Sequence, residues 1–133
     1  MYKADVSPKD CFEAMQNDMS AVMVDVRTAP EWMFVGQPKI ARMASISWQV
    51  FPAMAVNEKF AEQVAEAGIQ PEHQVYFLCR SGVRSAAAAA AITRAGYPNC
   101  YNIAAGFEGD IDQHGHRGSM NAFREIADIS EVR

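Results

Sequence analysis

An apolar run that ends in a cysteine, followed by a Gly/Ser/Arg turn and six consecutive alanines, constrains this chain more than any other stretch. It covers residues 74–96, QVYFLCRSGVRSAAAAAAITRAG. Val75, Tyr76, Phe77 and Leu78 read as a buried strand, and residues 85–95 as a helix ended by Gly96-Tyr97-Pro98. A turn from strand to helix leaves the first N–H groups of the helix without partners and aims the positive end of its dipole at the strand exit. Such a place binds anions and favours a thiolate, and Cys79 sits in it.

The rest of the chain alternates helix and strand. Ser7-Pro8-Lys9-Asp10 is a helix start, with Ser as N-cap, Pro at the first helical position and an acid in the first turn. Phe12, Met15, Cys11 and Met19 give that helix an apolar face. Residues 21–26 (AVMVDV) form a short buried strand, and Thr28-Ala29-Pro30-Glu31 caps a helical turn expected to carry Trp32 and Phe34 inward. Residues 36–52 read as loop with one strand near 44–46. A helix over 57–68 follows, with Phe60, Val64 and Ala67 on one face and Gly68 as its stop. Residues 100–103 are a further strand, 106–118 a polar turn-rich segment, and 121–127 a last amphipathic turn or two. Short connections between alternating elements imply an α/β fold, a parallel sheet with helices on both faces. Ligands then bind at the carboxyl ends of the strands, where Cys79 falls.

At 133 residues the chain is expected to be one domain, with a core over roughly residues 5–127. No window approaches the run of about 20 apolar residues that spans a bilayer. The start MYKADVSPKD lacks the apolar core of a secretory signal, and three cysteines do not suit a disulfide framework. A cytoplasmic location is expected, with no membrane partner. A net charge of −4 argues against nucleic acid as a partner. Residues 73–107 nevertheless contain no Asp or Glu, while Arg80, Arg84 and Arg94 lie among them, a distribution that suits a small anionic substrate.

The loop Cys79-Arg80-Ser81-Gly82-Val83-Arg84 resembles the active-site loop of the rhodanese family of sulfurtransferases, a turn of the Cys-x4-Arg type. Related cysteine-dependent phosphatases carry Cys-x5-Arg, where the added residue widens the cradle to admit a phosphate. Asp25-Val26-Arg27 followed by Glu31-Trp32 resembles the family's amino-terminal signature, and residues 103–109 its Gly-containing turn after the last sheet strand. Two elements depart from the family: the usual Gly-His pair reads Gly36-Gln37, and the aromatic-rich last helix is replaced by NAFREIADISEVR.

The resemblance implies sulfur transfer in two displacements. Cys79 would attack the outer sulfur of an anionic donor such as thiosulfate and hold it as a persulfide. A thiol, a protein acceptor or, in assay, cyanide would then remove it. Free cysteine has a pKa of about 8.5, so the loop must favour the thiolate. The N–H groups from Arg80 to Ser85 would stabilise the persulfide anion, with Ser81 and Val83 part of the cradle and Gly82 supplying a positive φ. Arg80 and Arg84 are the anion-binding candidates, and in the family a cationic second loop position goes with thiosulfate. Ser85 either donates to the sulfur or caps the helix. Asp25 and Arg27 read as structural support.

Arg80 has a plainer reading as a solvated side chain. Cys11 and Cys100 read as core, with Cys100 as a resolving thiol the alternative. The run Asp110-Ile111-Asp112-Gln113-His114-Gly115-His116 lacks a third well-spaced ligand and reads as solvated turn; no metal and no cofactor motif is expected. Three rival functions remain beside the enzyme: a persulfide-carrier or docking module in a protein relay, a phosphatase or arsenate reductase, and a purely structural domain.

Overall fold

The structure is a computed structural model and describes residues 1–108. The expected polar turn is therefore described only as far as Glu108, and both the amphipathic turns at 121–127 and the run at 110–116 lie outside the described residues. In chain order the elements are β1 (Ala4–Val6), α1 (Pro8–Asn17), β2 (Ala21–Asp25), α2 (Ala29–Phe34), β3 (Met43–Ser45), β4 (Gln49–Val50), β5 (Ala55–Val56), α3 (Phe60–Glu66), β6 (Gln74–Leu78), α4 (Val83–Arg94) and β7 (Cys100–Ile103). Five strands form one parallel sheet in the order β1-β7-β6-β2-β3.

Alternation along the strands sorts the core into two layers. Val75, Phe77 and Cys79 join Val24 and Val26 on one face, against Phe60 and Val64 of α3 and Ala88, Ala89 and Ile92 of α4. Tyr76 and Leu78 join Met23 on the other, against Cys11 and Met15 of α1. The expected α/β fold, a parallel sheet with helices on both faces, is the one found. Ser7 caps α1, its Oγ accepting from the Asp10 N–H at 3.1 Å. The alanines of α4 keep its buried side small, so that the helix lies close on β6 and β7. No helix among the described residues is long and apolar enough to cross a membrane.

Four local expectations need correction. Phe34 is 75 % exposed rather than inward, because α2 is a short helix at the edge and buries none of its residues. Met19 lies beyond the end of α1 and is exposed. Ala67 is also exposed, leaving Phe60 and Val64 to anchor α3. The 36–52 region holds β3 and β4, and β4 pairs antiparallel with β5 in a small hairpin. That hairpin and β1 escape a reading by pattern because two or three residues carry no periodicity.

The two central strands end together. Asp25 lies opposite Leu78, and the Val26 N–H donates to the Leu78 carbonyl at 2.8 Å. The residues that follow, Val26 on one strand and Cys79 on the other, therefore leave the sheet side by side, and Arg27 comes one residue beyond.

Candidate active site

Cys79 follows β6 directly and is 1 % exposed. Its Sγ accepts the Gly82 N–H at 3.0 Å, and the Ser85 Oγ lies 3.2 Å away. Gly82, at φ 102°, is the N-cap of α4. Its left-handed backbone turns the loop so that its N–H faces back to the sulfur. Ser85 is thus three residues inside the helix and is not its cap. Its hydroxyl reaches the sulfur on one side and Asn102 Oδ1, at 2.5 Å, on the other.

The loop is held from β7. Phe107 N–H donates to the Cys79 carbonyl at 2.8 Å, and Glu108 N–H to the Arg80 carbonyl at 3.0 Å. Gly106 makes this approach possible: a Cβ built there would sit 2.5 Å from the Cys79 carbonyl oxygen and 2.7 Å from the Arg80 carbonyl. Sequence reasoning placed a Gly-containing turn here without its reason, which is backbone contact with the nucleophile's own peptide.

The two loop arginines are not the free cations expected. Arg84 donates from both terminal nitrogens to Glu31, at 2.7 and 2.8 Å. Burial pushes the Glu31 carboxyl up, but hydrogen bonds from Arg84 and the Thr28 N–H outweigh it and bring it down to about 2. Arg80 has a side chain 52 % exposed and lies 3.5 Å from Glu108, a loose pair that leaves much of its charge to solvent. Acidic residues distant in sequence thus enter a region whose own segment contains none. Of the other loop residues, Ser81 is half-buried and Val83 is 76 % exposed at the tip.

Asp25 and Arg27 form a wholly buried pair, with Arg27 Nε to Oδ1 at 3.0 Å and NH2 to Oδ2 at 2.8 Å. NH2 also donates to the Gly36 carbonyl at 2.8 Å, and the guanidinium stands 4.3 Å over the Phe107 ring. The pair ties the β2 exit to the loop after α2 and to the turn that grips Cys79, and it makes no hydrogen bond to the sulfur itself. Gln37, standing where the resemblance expects histidine, donates to Ser45 Oγ at 2.6 Å and to Asp25 Oδ2 at 3.3 Å, so it joins the same scaffold.

The other two thiols are elsewhere. Cys11 is in the layer under α1, and burial pushes its thiol well above the ordinary range. Cys100 lies opposite Val75, four residues back along β6 from Cys79, or about 13 Å at strand spacing. Burial raises its thiol as well. It is not placed to resolve a persulfide on Cys79.

The sequence model of the Rhodanese-like domain matches residues 8–113. The chain belongs to this family. A rhodanese-like relationship of this extent takes in every element from α1 to β7 and the whole loop. An uncharacterized protein of Rickettsia rickettsii, the RP600 homolog, is 39 % identical over 108 residues, covering 78 % of this chain and 83 % of that one. The crystal structure of Rv0390 from M. tuberculosis superposes with a TM-score of 0.82 at 34 % identity, over 95 % of each chain. The polysulfide-sulfur transferase of Wolinella succinogenes, a homodimer, shares the fold at 24 % identity and a TM-score of 0.61, over 77 % of this chain and 67 % of that one. Membership in the rhodanese-like family supports sulfur transfer or a related role.

Proposed function

We propose that this chain is a sulfurtransferase that moves a sulfane sulfur from thiosulfate, or a similar anionic donor, to a thiophilic acceptor through a persulfide on Cys79. The observation that carries this is the convergence of the Gly82 N–H and the Ser85 hydroxyl on Cys79 Sγ at the carboxyl end of β6, within a loop of only four residues between Cys79 and Arg84.

In the first displacement the Cys79 thiolate bonds to the outer sulfur of thiosulfate, the donor's S–S bond breaks, and sulfite leaves with the electron pair. The terminal sulfur of the persulfide then carries the negative charge, which the Gly82 N–H and the unpaired N–H groups at the start of α4 would stabilise. In the second, an acceptor such as cyanide bonds to that terminal sulfur and leaves as thiocyanate, returning the thiolate. Arg80 is exposed enough to draw in the anionic donor. Arg84 would take part only where the donor displaces Glu31.

That neutralised arginine favours a second reading, a persulfide carrier loaded by a protein. A sulfur 1 % exposed beside an apolar loop tip, Val83, suits a donor that parts the loop as it docks.

Intact mass after incubation with thiosulfate, on the wild type and on Cys79→Ser, tests the proposal. One added sulfur on the wild type alone, removed by cyanide as thiocyanate, is the expected result. No loading by thiosulfate but rapid loading by a cysteine desulfurase would support the carrier instead, and no loading by either would overturn both.

A further inference from the structure

A double displacement brings two substrates in turn to one sulfur, and the surroundings of the Cys79 loop offer them different charges. Arg80, the half-exposed cation, lies beside Glu108 after β7. Elsewhere the loop forms one wall of a cleft of about 520 Å³ that Arg80 does not line. Ser81, Gly82 and Val83 make that wall, Asn102 lines the cleft from β7, and Tyr2 and Asp5 line it at the edge strand β1. Asp5 is the one carboxylate in this lining among the described residues. Its Oδ1 accepts from Tyr2 OH at 2.7 Å and from Asn102 Nδ2 at 3.0 Å. Both donors use the same oxygen, and among the described residues no lysine or arginine forms an ion pair with Asp5. A carboxylate fixed through one oxygen and open at the other receives a cation with little further ordering.

The nucleophile lies one contact behind two of the lining residues. Cys79 Sγ accepts the Gly82 N–H at 3.0 Å, and Ser85 Oγ bridges the sulfur, at 3.2 Å, to Asn102 Oδ1, at 2.5 Å. Three short contacts in series thus join Asp5 to the sulfur, which keeps the carboxylate within a small molecule's length of a sulfur carried on Cys79.

We propose that this cleft is the acceptor's way in, and that Asp5 is a specificity-determining residue selecting a small acceptor thiol that bears an ammonium group. The ammonium pairs with the open Asp5 oxygen while the sulfur end turns to the loop. The acceptor thiolate bonds to the outer sulfur of the persulfide, the bond from that sulfur to Cys79 breaks, and Cys79 keeps the electron pair as thiolate. The acceptor departs as its own persulfide. An anionic donor is repelled from the cleft by Asp5 and is left to Arg80. The inference deepens the sulfurtransferase reading and rests on Cys79 being its nucleophile.

The test is the rate at which three symmetric disulfides trap Cys79: cystamine, with ammonium ends, neutral hydroxyethyl disulfide, and dithiodiglycolate, with carboxylate ends. Cys79 attacks one sulfur, the S–S bond breaks, and the other half leaves as its thiolate. Intact mass reads the mixed disulfide, and Cys79→Ser supplies the background from Cys11 and Cys100. Asp5→Asn keeps an oxygen for Tyr2 and Asn102 and removes the charge. Taken relative to the neutral disulfide, which cancels any change in the thiol itself, the variant should react about fivefold more slowly with cystamine. It should react faster with dithiodiglycolate, and both differences should shrink in about 1 M salt. An equal shift for all three reagents would overturn the inference, since Asp5 would then act only on the loop's structure. So would the same change in Glu66→Gln, which removes an exposed acid at the end of α3. A Cys79 trapped by none of the three would also overturn it, because the cleft would give no path to the sulfur. Trapping uses no sulfur donor, so a protein that fails to load sulfur and a cleft that fails to select charge are read separately.

Discussion

Arg84, the last residue of the loop, is bound through both ends of its guanidinium fork by Glu31, fifty-three positions earlier in the chain. This bidentate pair joins the N-terminus of α4 to α2 and so fixes one wall of the site. The Glu31 carboxyl lies at about 2 in the folded protein against an ordinary 4.5. A depressed carboxyl contributes stability that is complete above its unfolded value and is lost as the pH falls through its folded one. Glu31→Gln should therefore lower stability at neutral pH by about 1 kcal/mol, a modest figure because solvent reaches the pair. The gap between the urea midpoints of variant and wild type should narrow as the pH is lowered from 5 toward 2. A gap independent of pH would show that the ion pair is not its source.

Gly106 permits the contact that shapes the nucleophile's peptide. Gly106→Ala would place a methyl group 2.5 Å from the Cys79 carbonyl oxygen, at a residue whose φ is 63°. A loss of about 2–4 kcal/mol is expected from strain and overpacking together. Sulfur loading should fall with it even where the protein is still folded, because the Phe107 and Glu108 hydrogen bonds to the loop are displaced. Loading kinetics measured below the denaturation midpoint read this directly.

Asp25→Ala would leave a guanidinium buried without its counter-ion, its NH1 already without a hydrogen-bond partner among the described residues. The expected cost is about 3–5 kcal/mol. Adding Arg27→Met should restore part of that loss, since the stranded charge is removed, and denaturant melts of the two variants give the comparison.

The double variant Cys11→Ala/Cys100→Ala should load one sulfur as the wild type does. Both thiols are buried, and burial disfavours the ionised form that attack requires. Mass spectrometry of the variant after thiosulfate would show a sulfur-free protein if either thiol were part of the route.

The core of this fold was legible because long apolar runs and a poly-alanine helix leave few alternatives: β2, β6, α4 and β7 all lie within a residue or two of where the pattern puts them. The nucleophile's cradle was legible for the same reason, being local in sequence. What the sequence concealed was long-range. The acid-free window around Cys79 reads as a cationic pocket, yet Glu31 and Glu108 arrive from other elements and occupy the arginines. Asn102 offered one clue, a polar residue inside an otherwise apolar strand, but its partners on β1 and α4 are set by sheet order alone. The same blindness put Phe34 inside, since an amphipathic turn does not say which side is covered.

The distance between Cys79 and the other two thiols sets the traffic of the proposed chemistry. With Cys100 about 13 Å down the sheet and Cys11 beneath its opposite face, a sulfur taken up by Cys79 has nowhere else in the chain to go. If the proposed function holds, the molecule is a carrier with a single berth. On that reading each turnover takes two separate encounters, one to fill it and one to empty it, and a Cys79 oxidised to the sulfenic acid would be recovered only by a thiol from another molecule.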